Sequence, residues 1–273
     1  IYRRKDEVKL VLLAGPSSSG KTTPCRRIAT QLSVLGFKPL QISLDDYFVD
    51  REHTPKDASG NYDFECIEAL DLDFFNYQMK ELLSGAEIEL PRFDFISGKR
   101  VQSGNRLKMK ANSILIVEGI HALNPHLTDK IEAKNKYNVF VSAMTQLALD
   151  RHNLISSSDN RLLRRIVRDN NYRGYSAQDT ILRWDSVRSG EEKHIFPYQE
   201  NADSIFNSSL LYEIGVLKPT AEKLLFEVAQ NSPAYSEARR LQNFLSEFKS
   251  IKTDFIPPTS IMREFLGGSS FAY

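Results

Sequence analysis

Val8-Lys9-Leu10-Val11-Leu12-Leu13-Ala14, running directly into Gly15-Pro16-Ser17-Ser18-Ser19-Gly20-Lys21-Thr22, decides the fold. The first seven positions form a short apolar run interrupted only by Lys9, the pattern of a strand buried on both faces of a parallel sheet. The next eight fit G-x-x-x-x-G-K-[ST] in full. A loop of small residues lets backbone N–H groups turn inward around a phosphate. The helix that starts there adds roughly half a positive charge at its N-terminus. In that chemistry Lys21 places a point charge on the β- and γ-phosphates, and the Thr22 hydroxyl reaches a magnesium ion. Gly15, Ser17, Ser18, Ser19, Gly20, Lys21, Thr22 and Thr23 are therefore the expected ATP contacts. Pro24 falls near the first turn of the helix, where few N–H bonds are lost.

Working outward, residues 21–35 read as a helix closed by Gly36, and residues 38–43 as a second strand. Strand, glycine loop, helix and strand in that order make a βαβ unit, which implies a parallel sheet covered by helices. Residues 44–61 are polar and read as an ordered loop, and residues 67–83 as a helix. Short alternating runs over 87–110, split at Ser97-Gly98 and Ser103-Gly104, suggest β-hairpin segments beside the main sheet. Residues 113–117 and 137–141 are further strands. Residues 160–187 read as helical with an interruption at 170–174, residues 202–207 as a last strand, and residues 218–228 and 235–248 as helices. The tail from Pro257-Pro258 to Gly267-Gly268 reads as an excursion outside the core. The expected architecture is an α/β P-loop NTPase three-layer sandwich. It has a mainly parallel central sheet, a small β-hairpin excursion and a helical lid over about 158–188. One domain is expected over residues 1–273, with a C-terminal helical region and tail at about 216–273.

The 36 basic and 35 acidic residues leave a formal net charge of +1, which argues against a general nucleic-acid binder. No stretch approaches the roughly 18–20 apolar residues that span a bilayer. The N-terminus lacks the apolar core of a signal peptide. Cys25 and Cys66 fit no metal or redox spacing, so two free thiols in a reducing cytoplasm are expected. The first residue is Ile1, and a further N-terminal domain preceding it is an expectation.

Two carboxylates stand at predicted strand ends. Ile114-Leu115-Ile116-Val117-Glu118-Gly119 puts Glu118 at the edge where open α/β sheets bind ligands, and makes it the second expected magnesium-site residue. His121, close by, has no partners that complete a zinc set and reads as a structural or surface residue. Ser43-Leu44-Asp45-Asp46-Tyr47-Phe48 follows the second strand, so its acids leave the sheet at the same edge as the loop. A carboxylate beside the γ-phosphate can take the proton of an attacking hydroxyl, help worth about 10²–10⁴ in rate.

Taken in order, several motifs resemble the uridine kinase and phosphoribulokinase family of P-loop kinases. They are residues 15–23, residues 43–48, Tyr62-Asp63-Phe64, Leu90-Pro91-Arg92-Phe93-Asp94-Phe95, Val117-Glu118-Gly119-Ile120, and residues 161–174. The similarity runs from about residue 8 to 207. It implies magnesium-ATP as phosphoryl donor and a small-molecule hydroxyl, most naturally a nucleoside's, as acceptor. Asp45 is then the catalytic base. Asp63, with Tyr62, binds the acceptor's ribose hydroxyls, and Phe93 and Phe95 line its pocket. The lid helix carries Arg161, Arg164, Arg165 and Arg168 at i, i+3, i+4 and i+7, one helical face, with Leu162, Leu163, Ile166 and Val167 filling much of the other. Such a face would offset a triphosphate's charge and exclude water. Arg168 and Arg173 are its expected ATP and substrate contacts, Arg173 acting on the transferring phosphate.

Typical uridine–cytidine kinases have tyrosine where Phe48 and Phe93 sit and histidine where Gly98 sits. A phenyl ring stacks without hydrogen-bonding a base edge, so a relaxed or altered base choice is expected. A sugar phosphate or vitamin precursor is the alternative acceptor, with Arg92, Lys99 and Arg100 as available cations. A non-catalytic ATP-dependent regulatory module is the third reading. Family members often assemble, so a homo-oligomer is expected. Residues 256–268 resemble one bacterial branch of nucleoside kinase-like proteins, in which the kinase follows a segment similar to part of threonyl-tRNA synthetase.

Overall fold

The computed structural model describes residues 1–57, 60–129 and 131–271. Its contacts divide the chain into two compact units. The first comprises Ile1–Pro16, Pro24–Val141 and Ser189–Phe206, and the second Ser17–Thr23, Ser142–Arg188 and Asn207–Tyr273.

The first unit is built on a five-stranded sheet of β1 (Leu10–Ala14), β2 (Lys38–Ser43), β5 (Ser113–Glu118), β6 (Lys136–Ser142) and β7 (Ser204–Asn207), in the order β2-β5-β1-β6-β7. The pairs β1–β5, β1–β6 and β2–β5 are all parallel. Every residue of β1 is buried, as its unbroken apolar run requires of a central strand. Side chains alternate between the faces. Val11, Leu13, Ile114 and Ile116 pack with Cys25, Ala29 and Leu32 of α1 (Thr22–Val34). Leu10, Leu12, Leu115 and Val117 pack with Phe75, Met79 and Leu82 of α2 (Leu72–Leu83). Helix, sheet and helix make the three layers of an α/β P-loop fold.

Beside them, β3 (Glu87–Asp94) and β4 (Lys99–Lys108) form an antiparallel hairpin. Ser97-Gly98 lies in its turn, as expected. Ser103-Gly104 does not break β4. It sits opposite a register shift between Glu89 and Pro91, with Gly104 at φ 71°, so the glycine marks a bulge.

The second unit is helical: α3 (Ser157–Arg173), α4 (Ala177–Leu182), the first part of α5 (Trp184–His194), α6 (Glu213–Phe226), α7 (Tyr235–Ser246) and the short α8 (Arg263–Leu266). The expected interruption at 170–174 comes later. α3 continues to Arg173 and stops at Gly174, whose φ of 68° and N–H bond to the Asp169 carbonyl cap it. Ser176 and Asp179 then form a capping box for α4. The tail corrects a second expectation. Ile256, Ile261, Met262 and Phe265 are buried in the same core as Leu163, Val167, Leu217 and Leu241. Prolines and glycines made the segment look peripheral, but its four buried apolar side chains make it part of the core. No helix among the described residues is long and apolar enough to cross a membrane.

Candidate active site

In the second unit the glycine-lysine loop is shaped from outside by arginines of α3. Arg161 Nη1 donates to the Ser17 carbonyl at 3.1 Å. Arg164 Nη1 donates to the carbonyls of Ser18 and Ser19 at 3.4 and 3.3 Å. The Ser208 hydroxyl also donates to the Ser19 carbonyl. Across a trans peptide the C=O and the following N–H point in opposite directions. Drawing those carbonyls toward the guanidinium groups therefore turns the N–H groups of Ser18, Ser19 and Gly20 the other way. Ser18 and Gly20 adopt φ of 57° and 81° to make this turn. Lys21 and Thr22, at the start of α1, are half-buried.

Arg164 is fully buried and ion-paired with Glu213, with its Nε 2.8 Å from Glu213 Oε2. Glu213 also accepts from Asn160 Nδ2 at 2.5 Å and Ser209 Oγ at 3.1 Å. Arg161 and Arg164 thus serve the loop's backbone. The other arginines of α3 gather around Asp169. Arg168 Nη2 lies 2.7 Å from Asp169 Oδ1, Arg165 Nε 3.2 Å from Oδ2, and Arg173 Nε 3.8 Å from Oδ1. Burial alone would raise the Asp169 pKa, but the charges of Arg168, Arg165 and Arg173 outweigh it and hold the carboxyl below its usual value. Arg165 also reaches Ser17 Oγ at 2.6 Å.

In the first unit, register brings the acids together. Ser43 pairs with Glu118 across β2 and β5, and the Ser43 hydroxyl donates to Glu118 Oε1 at 3.1 Å. A Cβ on Gly119 would lie 2.5 Å from Leu44 Cβ, so only glycine lets the 3-10 turn Leu44–Tyr47 settle there. That turn holds Asp45, half-buried, two residues beyond the partner of Glu118. Asp46 accepts the Phe93 N–H at 3.1 Å and ties the turn to β3. Burial, with the Asp45 charge adding to it, pushes the Asp46 pKa up from 3.8 to about 6 against the opposing Phe93 N–H bond.

The expected acceptor residues form a chain of rings. Phe48 meets Phe93 at 5.6 Å and Phe64 at 6.2 Å, Phe93 meets Phe95 at 5.3 Å, and Tyr62 meets Phe64 at 6.1 Å. Phe93 is only 5% exposed, whereas Tyr62 is 38% exposed. Phe93 therefore backs the aromatic chain, and Tyr62, Phe64 and Phe95 offer its accessible surface. Asp63, between the first two of these, uses Oδ1 to accept the Glu65 N–H at 3.0 Å. Arg51 covers Gly98. Its N–H donates to the Gly98 carbonyl at 2.8 Å, its Nη2 to the Phe95 carbonyl at 2.6 Å, and a Cβ on Gly98 would lie 2.7 Å from its Cζ. His121 is buried. Burial first, then the neighbouring His194 charge, pushes its pKa down to about 4, so it stays neutral.

A family model described as the phosphoribulokinase / uridine kinase family matches residues 10–211. The chain belongs to this family. It is accordingly a kinase, a phosphotransferase with a nucleotide-binding P-loop. The uridine kinase of Staphylococcus aureus (strain JH9) is 30% identical over 198 residues, covering 72% of this chain and 86% of that one. Among solved structures, one named a possible uridine kinase from Bacillus stearothermophilus shares 16% identity, covers 76% of this chain and 98% of its own, and gives a TM-score of 0.46. The D-glycerate 3-kinase of Cryptococcus neoformans shares 13% identity, covers 95% and 79%, and gives a TM-score of 0.33.

Sequence reasoning passed over Asp46, Arg51, Asp169, Glu213 and Glu264. Asp46 and Arg51 lie in the polar loop it singled out, but nothing local shows which acid faces inward or which arginine meets the hairpin. Glu213 and Glu264 act on residues far away in the chain, a relation no local pattern carries.

Proposed function

We propose that this kinase transfers the γ-phosphoryl group of magnesium-ATP to a hydroxyl of a nucleoside. The observation that carries this reading is the loop at residues 17–20, whose carbonyls are held by Arg161 and Arg164 so that successive N–H groups turn together. That is how backbone dipoles hold a polyphosphate. Gly15, Ser17, Ser18, Ser19, Gly20, Lys21, Thr22 and Thr23 would bind ATP, with Arg168 and Arg173 meeting its charge and Arg173 the transferring group. Asp45 would take the proton of the attacking hydroxyl. A magnesium ion would supply charge neutralisation at the phosphates. The Thr22 hydroxyl and Glu118 carboxylate are hard oxygen donors of the kind it prefers.

On the acceptor side, Asp63 with Tyr62 would hold ribose hydroxyls, and Phe95 beside Phe93 would stack on the base. The apolar ring of Phe93 and the guanidinium stem over Gly98 support a base choice different from that of a site built on tyrosine and histidine. Cys25 and Cys66 are both buried and in no disulfide, which supports a reducing cytoplasm as the place of action.

The test is incubation with magnesium-ATP and a panel of nucleosides and sugar phosphates, read by mass spectrometry. A nucleoside product heavier by one phosphoryl group is expected. Product only from a sugar phosphate would move the acceptor to that class, and ATP binding with no product from any member would make the chain a nucleotide-binding regulator.

A further inference from the structure

The C-terminal segment, which lies beyond the family match ending at residue 211, brings an acid to the nucleotide loop. The segment is firmly seated. Ile256, Ile261, Met262 and Phe265 are buried, Asn171 Nδ2 donates to the Phe265 carbonyl at 2.9 Å, and Arg263 Nη2 donates to the carbonyls of Thr253 and Ile256 at 2.9 and 2.7 Å. Between Arg263 and Phe265 stands Glu264. Its Oε2 accepts both the Thr23 N–H, at 2.9 Å, and the Thr23 hydroxyl, at 2.8 Å. Ile261 Cγ2 lies 2.9 Å from where a Cβ on Gly20 would be, so the segment closes directly against the loop's second glycine.

Thr23 belongs to the first turn of α1, where N–H groups have no acceptor within the helix and together attract anions. Pro24 supplies no N–H at all, so this turn has few donors to share. One N–H and one hydroxyl each donate a single hydrogen, and a carboxylate and a phosphate oxygen ask for the same two. We propose that Glu264 is a built-in competitor of the nucleotide's phosphates. It seats an anion on Thr23, and a phosphate-bearing ligand displaces that carboxylate to claim the same donors. The inference rests on the reading of residues 15–23 as the ATP loop. The neighbouring core residues can stay in place, because rotating the Glu264 side chain is enough to release Thr23. Nucleotide affinity is thereby set in part by a segment outside the matched kinase region.

The experiment uses the full chain as wild type, Glu264→Ala, Glu264→Gln and Lys21→Ala, titrated calorimetrically with magnesium-ATP and separately with adenosine. Coupling between competing groups typically changes affinity by about 5- to 150-fold, so Glu264→Ala should bind magnesium-ATP at least about fivefold more tightly. Glu264→Gln, which keeps an acceptor oxygen but loses the charge, should show a smaller gain. It carries the measurement if the alanine variant does not fold. Adenosine, which has no phosphate, should bind all the Glu264 variants alike. Unchanged or weaker magnesium-ATP binding in the Glu264 variants, with binding still dependent on Lys21, overturns the competitor and leaves the loop reading standing. An equal gain for adenosine also overturns it, because the effect would then be steric. Binding to neither wild type nor variants, with Lys21→Ala no different, overturns the loop reading and the inference with it.

Discussion

The nucleotide loop and the acid edge are built by opposite means. At residues 17–23 the groups proposed to bind phosphate are backbone amides, held by a buried shell. Ser19 and Arg164 are fully buried, and the carbonyls are tied to the guanidinium groups of Arg161 and Arg164, the second of them ion-paired with Glu213. At the acid edge the groups proposed to act are the half-buried side chains of Asp45 and Glu118, positioned by strand register and a 3-10 turn. A site made of backbone is only as good as what packs around it. A site made of side chains can lose its chemistry and keep its fold. Substitutions should therefore separate the two regions, with turnover lost at the acid edge and stability lost around the loop.

The largest effect is expected at Asp45. Asp45→Asn keeps size and shape but removes the proposed general base, so kcat should fall by about 10²–10⁴. Magnesium-ATP affinity, measured by calorimetry on the same preparation, should stay within about twofold, since the loop's amides are untouched. A collapse of ATP affinity would make Asp45 a metal ligand and end the contrast. On the loop side, Glu213→Ala leaves Arg164 buried without its counter-charge. Breaking a buried pair from one side costs about 3–5 kcal/mol, which urea denaturation would register. A loss of under about 1 kcal/mol would mean that the arginine shell does not hold the loop.

This contrast also explains what could be read in the sequence. The loop was legible because phosphate binding by backbone demands glycines, a lysine and a threonine at fixed spacing. The central strands were legible because β1 and β5 are apolar at nearly every position. Asp45 and Glu118 were legible as acids at strand ends, and register pairs Glu118 with Ser43, two residues before Asp45. The tail was misread because proline and glycine content outweighed four apolar residues spaced over ten positions, and only the packed core shows that Ile256, Ile261, Met262 and Phe265 belong to it. The arginines of α3 were grouped as one face. Which of them point at carbonyls and which at Asp169 depends on Glu213 and residues 17–19, distant in the chain.

Asp46 sharpens the comparison through pH. Its pKa rises from 3.8 to about 6 on folding, so the folded protein holds this proton more tightly than the unfolded chain. The group's contribution is most favourable below the unfolded value and is lost as pH climbs through the folded one, by up to about 3 kcal/mol. His121 works in the opposite sense. With its pKa pushed down to about 4, it favours the fold above its ordinary value and penalises it as pH falls. The informative quantity is therefore the difference between wild type and Asp46→Asn, not either curve alone. Urea midpoints taken between about pH 4 and pH 7 should show the variant gaining on wild type as pH rises. A constant difference would mean that Asp46 is ionised throughout and that the turn carrying Asp45 is wetter than its burial indicates.

The smallest effect is expected at the hairpin turn. Gly98 sits at φ 70°, and an added Cβ would meet Arg51 Cζ and Nε at 2.7 Å and Arg51 Cβ at 2.9 Å. The guanidinium could swing away, but the Arg51 Cβ is fixed to the chain, so part of the clash cannot be relieved by rotation. Gly98→Ala should cost about 1 kcal/mol from backbone conformation, and somewhat more from the contact. Pairing it with Arg51→Ala removes the guanidinium and its bonds to the Phe95 carbonyl, yet leaves the backbone term. The double variant should therefore recover some of the steric loss without reaching the stability of Arg51→Ala alone. If Gly98→Ala proved neutral, the turn would already move freely beneath Arg51. The rim formed by Phe95 would then adapt to its ligand, in contrast to the nucleotide loop, whose carbonyls are held by Arg161 and Arg164.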